Sequence, residues 1–186
     1  MISDLEEISN TAVKFKVTGL SVFTINKFRL YLLRDVETYA IHTIFINEAP
    51  PIDQLLKRRI GLIPLFNGVK GDYITINYEA EEDTILTSDV MKSHNGTTIP
   101  SGVELFPVRK GDKFDIFCTI RSASVKPAPG EERYTETSYK YTVINRVTFK
   151  EVVKDQEYDM VVNFIDRRYH KLDIINKSFQ EVKLLY

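Results

Sequence analysis

One long apolar pattern near the carboxyl end constrains this chain more than any other feature of its sequence. Apolar residues recur there every three or four positions, which is the spacing of one face of an α-helix. A helix over that length would extend about 42 Å at 1.5 Å per residue. Such a stripe exceeds what a small domain can bury, so it predicts contact with a second polypeptide. The stripe consists of Tyr158, Val161, Val162, Ile165, Tyr169, Leu172, Ile175, Phe179 and Val182.

Composition limits the class of protein. With 186 residues, the chain is long enough for one domain or two small ones. Its 25 Lys and Arg against 26 Asp and Glu give a net charge of -1, which lacks the basic excess of an autonomous nucleic-acid-binding protein. A single cysteine, Cys118, excludes an internal disulfide and any site built from several thiolates. No apolar run approaches a membrane span, and we expect an intracellular protein.

The amino-terminal section predicts a strand, a helix and a second strand. Residues 12–17 alternate apolar and polar side chains, as a half-buried strand does. Residues 22–36 have helical spacing, and Ser21 or Thr24 can cap their start. Residues 40–46 are β-branched and apolar, and a double proline follows them.

The middle section is rich in turns and short strands. Asp53 is a candidate N-cap for a short helix over residues 54–60. Glycine and proline turns then separate four predicted strands, so residues 50–140 form a β-rich insert within an α+β protein. Residues 125–133 contain two prolines and a glycine without an apolar period, which predicts an exposed loop. The four predicted strands are residues 73–78, 84–87, 103–106 and 114–120.

Four segments, in order, resemble landmarks of one RNA polymerase subunit family. Residues 25–41 resemble its Ala-Asn-Ala-Leu-Arg-Arg helix and following strand, and residues 59–65 its Arg-Leu-Gly-Leu-Ile-Pro-Leu segment. Residues 86–90 are similar to its Tyr-Ser-Ser-Asp-Leu segment, and residues 108–112 to its Leu-x-Lys-Gly-Gln turn. The family comprises the alpha subunit of bacterial RNA polymerase, its archaeal counterpart and the third-largest subunit of eukaryotic RNA polymerase II.

Departures from the family pattern indicate a divergent member, viral or plasmid-borne. Leu30 stands where the family has the second arginine of its Arg-Arg pair, while Arg29 keeps the first. The Gly-x-Gly-Lys-Glu-His-Ala-Lys-Trp segment is replaced by the Pro-Gly loop and the residues after it. The cysteines that hold zinc or clusters in some relatives are absent, so we expect no metal and no cofactor.

The resemblance implies a specific architecture and role. A split dimerisation domain, residues 1–49 and 141–186, would be interrupted by an insert domain, residues 50–140. It would consist of a strand, a helix, a strand and the long carboxyl-terminal helix. The chain would be a non-catalytic scaffold that pairs with a smaller alpha-like subunit and then binds the two large subunits. No membrane and no sequence-specific nucleic-acid contact is expected, and the location would be nucleus or cytoplasm, or host cytoplasm or virion for a viral protein.

Two sets of contact residues follow from the helices and the resemblance. Basic clusters such as Arg58 and Arg59 are commonly solvated, and a salt link to another subunit is the alternative. Asn26 and Arg29 lie three apart, so both can reach one neighbour. The predicted contacts to the large subunits are Asn26, Arg29, Arg58 and Arg59. The predicted contacts to the smaller partner are Ile25, Phe28, Leu32, Val36, Leu172, Ile175 and Phe179.

The sequence offers little for catalysis, and two alternatives stay open. His42, His94 and His170 share no ligand spacing, and the chain has no phosphate-binding glycine loop or nucleophile elbow. One alternative is a free-standing β-rich binding module that uses the loop at residues 125–133. The other is a small enzyme with Cys118 as nucleophile, although an apolar strand favours an inert thiol.

Overall fold

The computed structural model describes residues 1–51, 53–124, 142–153 and 156–186. Over these ranges the chain is an α+β protein with three α-helices, antiparallel sheets and one turn of 3₁₀-helix at Ser88–Val90. The helices are α1 (Val22–Arg34), α2 (Asp53–Gly61) and α3 (Lys171–Leu185). The strands are β1 (Ile2–Glu7), β2 (Ala12–Thr18), β3 (Thr38–Glu48), β4 (Tyr73–Glu79), β5 (Thr84–Thr87), β6 (Met91–Ser93), β7 (Glu104–Val108), β8 (Lys113–Ala123), β9 (Ile144–Val153) and β10 (Glu157–Phe164).

The chain divides into two compact units. The terminal unit contains both ends of the chain, Met1–Glu37 and Ser124–Tyr186, and the central unit is Thr38–Ala123. These boundaries differ from the predicted ones because β3 belongs to the central unit. There β3 pairs with β8 from Thr38 opposite Ala123 to Glu48 opposite Asp115.

The terminal unit is a four-stranded antiparallel sheet, in the order β1-β2-β10-β9, with α1 and α3 packed on one face. Strand β2 places Val13, Phe15 and Val17 in the core by simple alternation, as its sequence predicts. Strand β1 was not predicted, because its residues are mostly exposed and polar and its position depends on pairing with β2.

The prediction of one long carboxyl-terminal helix is wrong. Residues from Glu157 to Phe164 form β10, a strand that pairs with both β2 and β9. Its alternate residues Tyr158, Met160, Val162 and Phe164 are buried, which is the period of a strand. The helix begins only at Lys171, and its 15 residues extend about 22 Å. The argument that an over-long helix needs a second polypeptide therefore fails.

The central unit has its own hydrophobic core. Its main sheet has the order β3-β8-β4-β6, and β5 pairs separately with β7. The predicted short helix is confirmed as α2, which buries Leu56 and Ile60 in this core. The four strands predicted here are also confirmed, as β4, β5, β7 and β8. The three-residue β6 was too short to give a sequence signal.

Candidate subunit interface

Helices α1 and α3 form the layer of the terminal unit on which the sequence predicts partner contacts. Ser21 caps α1 as predicted, because its Oγ accepts a hydrogen bond of 3.2 Å from the Thr24 N–H. The rings of Phe28 on α1 and Phe179 on α3 meet edge to face, with 5.4 Å between their centroids. The two helices therefore pack against each other as well as on the sheet.

Most of the residues that are predicted to contact the partner are buried in the chain's own core. Ile25, Phe28, Leu32, Ile175 and Phe179 are all buried among strand residues of the terminal unit. Side chains that are enclosed in this way need no second subunit to bury them. The strongest helical period in each segment marks the core rather than an interface.

Two of the residues that are predicted to contact the partner remain partly exposed. Val36 is partly buried and packs against the edge of the same core. Leu172, in the first turn of α3, is 40% exposed. The prediction of partner contact therefore rests on these two residues and on apolar side chains that lie outside the helical periods.

Those further side chains form a patch where α1 begins and α3 ends. The ring of Phe23 contacts the ring of Tyr186 edge to face, with 6.2 Å between centroids, yet the two residues are 62% and 63% exposed. Large apolar groups left in water at this density are typical of interaction surfaces. We call this the Phe23–Tyr186 patch, and it comprises Val22, Phe23, Leu184, Leu185 and Tyr186.

A cation holds the patch together. The Lys27 Nζ lies 5.2 Å from the centroid of the Phe23 ring and 5.5 Å from that of the Tyr186 ring. Each distance is within the range of a cation–π interaction. The ammonium group therefore links the first turn of α1 to the residue after α3 and orients both rings.

The residues that are predicted to contact the large subunits are polar, and some of them form hydrogen bonds within the chain. Arg29 Nε donates a hydrogen bond of 3.1 Å to Asn26 Oδ1, so these residues share one face of α1 as their spacing predicts. On α2, Arg59 Nη1 donates to the backbone carbonyl of Leu105 at 2.9 Å, while Arg58 is exposed.

The sequence contained a weak signal for the missed patch. Phe23 follows the N-cap by two residues and lies off the buried period of α1, so a search for amphipathic spacing passes over it. Leu184, Leu185 and Tyr186 are three consecutive apolar residues after Lys183, and one side of a helix cannot bury all three. Apolar residues that break the helical period were the informative ones.

Other candidate sites carry little chemistry. Cys118 is buried in the central unit, and desolvation raises the pKa of its thiol to about 12. A thiol that stays protonated is a poor nucleophile, which weighs against the Cys118 enzyme. Among the described residues, no cluster of three His, Cys, Asp or Glu side chains could hold a metal ion. The predicted loop at residues 125–133 lies outside the described residues.

The helices of the described ranges are all too short or too polar to cross a membrane.

Comparison with known proteins gives a partial similarity. No protein-family profile matches the chain. Over 97 residues, the chain is 29% identical to the DNA-directed RNA polymerase subunit Rpo3 of Methanocaldococcus jannaschii. The aligned region covers 50% of this chain and 51% of that protein, so the chain spans about half the length of the relative it matches. The chain is thus similar in part to an archaeal RNA polymerase subunit, which agrees with the family resemblance of its four sequence segments.

Proposed function

We propose that this chain is a non-catalytic assembly subunit of a multisubunit DNA-directed RNA polymerase. Two observations support the proposal. The partial similarity to an archaeal polymerase subunit supports the class of complex. The terminal unit brings both ends of the chain into one sheet-and-helix unit, while the residues between them form a unit of their own, and this division of the chain is the kind that the resemblance implies.

In this proposal the terminal unit is the dimerisation domain and the central unit is the insert. The smaller alpha-like subunit covers the helical layer at the Phe23–Tyr186 patch and at Leu172. A stable pair of this type buries on the order of 2,000 Å² or more, which requires apolar surface on both helices. The exposed patch is the single observation that carries the proposed pairing with a second subunit.

The large subunits are proposed to bind through polar residues after the pair has formed. Asn26 and Arg29 would act from α1, and Arg58 and Arg59 from α2. Arginine suits this role because its planar guanidinium can bind a carboxylate through two parallel hydrogen bonds. Catalysis would reside in the large subunits, and the chain itself would supply only geometry.

The test is pairing with the smaller alpha-like subunit encoded in the same genome. The two full-length chains are co-expressed, and the mass of the complex is measured by size-exclusion chromatography with light scattering. We expect a one-to-one heterodimer that Phe23→Asp disrupts, because an unpaired charge in a desolvated interface costs several kcal/mol. Asn145→Asp is the matched control, since Asn145 is an exposed polar residue of β9 and lies on neither helix of the proposed interface.

Two results would refute the proposal. One is a chain that remains a soluble monomer in the presence of every small subunit of that genome. The other is a heterodimer that forms equally well with Phe23→Asp, which would remove the patch from the interface. A heterodimer that then recruits both large subunits in the same chromatographic assay is the result expected of a scaffold.

A further inference from the structure

Helix α2 carries two apolar stripes, and only one of them is buried. Leu56 and Ile60 face the core of the central unit, where they are 2% and 0% exposed. Leu55 and Leu62, by contrast, are 44% and 52% exposed. Leu62 continues the helical turn, because its N–H donates to the carbonyl of Arg58 at 3.2 Å. The second stripe therefore extends from the first turn of α2 to the residue that directly follows the helix.

Arginines separate the two exposed leucines. Leu55, Arg58, Arg59 and Leu62 follow one another at intervals of three, one and three residues, so their side chains share one face. We call this set the α2 outer stripe. The bond from Arg59 Nη1 to the Leu105 carbonyl holds one guanidinium in a fixed position at the backbone of β7. A group fixed in this way loses less conformational entropy when it binds a partner.

The segment that carries the stripe has a net positive charge. Residues 53–70 contain the cations Lys57, Arg58, Arg59 and Lys70 and one acidic residue, Asp53, although the whole chain has a net charge of -1. The positive field is thus local to this segment. Its complement is a surface that carries carboxylates together with apolar side chains.

We propose that the α2 outer stripe is a docking surface for a segment of a partner protein that carries both carboxylates and apolar side chains such as leucine. Apolar side chains of that segment cover Leu55 and Leu62, and its carboxylates bind Arg58 and Arg59. Arginine is enriched among the residues that contribute most to binding energy in protein interfaces, and the two leucines supply apolar surface to bury beside it. The identification of the partner as another polymerase subunit rests on the proposed function, whereas its chemistry rests on the stripe alone.

The exposed leucines favour a protein over the other anionic partners. A phosphate backbone would satisfy the arginines and leave Leu55 and Leu62 against a charged surface, with no gain from their burial. An anionic membrane would need a longer apolar face than two leucines on a nine-residue helix. Nucleic acid and membrane are therefore outcomes that the experiment must detect.

The experiment titrates the full-length, ¹⁵N-labelled chain with synthetic peptides about four helical turns long. One peptide has glutamate and leucine at helical spacing, and the other has the same glutamates with serine in place of leucine. We expect the Glu–Leu peptide to bind at least about tenfold more tightly than the Glu–Ser peptide. Its binding should shift the amide resonances of residues 54–65.

Variants link the binding to the stripe. The double substitution Leu55→Ser and Leu62→Ser should lower the affinity for the Glu–Leu peptide at least about tenfold, and Arg58→Glu should do the same. These residues are exposed, so the variants should retain the circular dichroism spectrum of the parent chain. Lys150→Glu removes an exposed cation from β9 in the terminal unit and is the matched control, with no expected change.

Several outcomes would overturn the proposal. They are equal affinity for the two peptides, resonance shifts outside residues 54–65, and tighter binding of a short DNA duplex or of phosphatidylserine vesicles than of the Glu–Leu peptide. Pairing with the smaller subunit separates this inference from the proposed function. If the chain pairs with the smaller subunit but does not bind the Glu–Leu peptide, only the proposed docking surface is refuted. If it binds the peptide but never pairs, only the proposed scaffold function is refuted.

Discussion

Phe23 and Tyr186 lie more than 160 positions apart along the chain, yet their rings meet edge to face with 6.2 Å between centroids. The contact joins the first turn of α1 to the end of α3, and both rings remain largely exposed to solvent. An aromatic pair in the core would be enclosed, as Phe28 and Phe179 are. The outer pair is therefore placed where a second protein can complete its burial.

The first prediction separates the patch from the core. Phe28→Ala should lower the free energy of unfolding by about 3–5 kcal/mol, because Phe28 is fully buried and its loss leaves a cavity. Phe23→Ser should change it by less than about 1 kcal/mol, because the Phe23 ring is mostly exposed. Urea unfolding of both variants measures the difference. Equal losses would mean that Phe23 is a core residue.

The second prediction concerns Leu172, at the opposite end of α3 from Tyr186. Leu172→Asp should weaken pairing with the smaller subunit at least about tenfold without unfolding the chain, because the side chain is 40% exposed in the single subunit. Affinity is measured by isothermal titration calorimetry. Asp173→Asn, at the exposed neighbouring position, is the control. Unchanged affinity of Leu172→Asp would confine the interface to the Phe23–Tyr186 patch.

The sequence predicted elements well wherever one period was unambiguous. Strand β4 alternates cleanly, and α1 has helical spacing between a serine cap and Asp35. The prediction failed for the segment of β10, because Tyr158, Val161 and Val162 also fit the helical spacing of three and four residues. Met160 and Phe164, both buried, carry the competing period of two. Only pairing with β2 and β9 decides between the two periods, and a local pattern does not contain that pairing.

The candidate interface was harder to predict than the fold, and the reason is physical. A helix in a two-layer unit buries its most regular apolar stripe against its own sheet, so that stripe marks the core. The residues proposed to bind partners are the exposed apolar side chains that fall outside the period, such as Phe23 and Leu55. Their exposure depends on which face the sheet covers and can be read only from the structure.

The third prediction concerns Gly68 in the central unit. A Cβ at this position would overlap Cβ and Cγ of Tyr39, at separations that unbonded carbon atoms cannot adopt. Gly68→Ala should therefore lower the free energy of unfolding by about 1–3 kcal/mol. The same substitution in a Tyr39→Gly background should cost much less, because the clashing atoms are absent. Urea unfolding of the parent chain, the two single variants and the double variant gives the coupling free energy between positions 39 and 68.

Gly61 supplies the matched control for that experiment. It lies in the last turn of α2, and nothing is within 4 Å of a Cβ built there. Gly61→Ala should be neutral or should raise stability by about 0.5–1 kcal/mol, since alanine has the higher helix propensity. Equal losses at Gly61 and Gly68 would contradict the steric explanation.

The fourth prediction concerns the Cys118 thiol. Because burial raises its pKa to about 12, the thiol should not react with Ellman's reagent in the native chain at neutral pH and should react fully in guanidinium chloride. Cys118→Ala should still pair with the smaller subunit. A native thiol that reacts at the rate of free cysteine would revive the enzyme alternative.

The last prediction concerns Asp72, whose buried carboxylate organises the turn after β6. Its Oδ1 accepts hydrogen bonds from the backbone N–H groups of Tyr73, His94 and Asn95, at 2.7, 3.1 and 2.8 Å. Its Oδ2 accepts from the Ser93 hydroxyl at 2.6 Å and from the N–H of Thr97 at 3.1 Å. Burial alone would raise the pKa of Asp72, but these donors stabilise the ionised form and hold the pKa well below its ordinary value of 3.8.

A depressed pKa in the folded state has a definite consequence for stability. The stabilisation is fully present above the unfolded-state pKa of 3.8 and is lost progressively as the pH falls below it. Asp72→Asn replaces one accepting oxygen with a donor that would face other donors, so it should lower the free energy of unfolding at pH 7 by about 1–3 kcal/mol. The difference between the parent chain and the variant should shrink as the pH is lowered from 5 towards 2, measured by urea unfolding at each pH. Glu104→Gln, at an exposed carboxylate of β7, serves as the control and should follow the parent chain. A gap between Asp72→Asn and the parent chain that stays constant below pH 3.8 would show that the charge of Asp72 does not stabilise this turn.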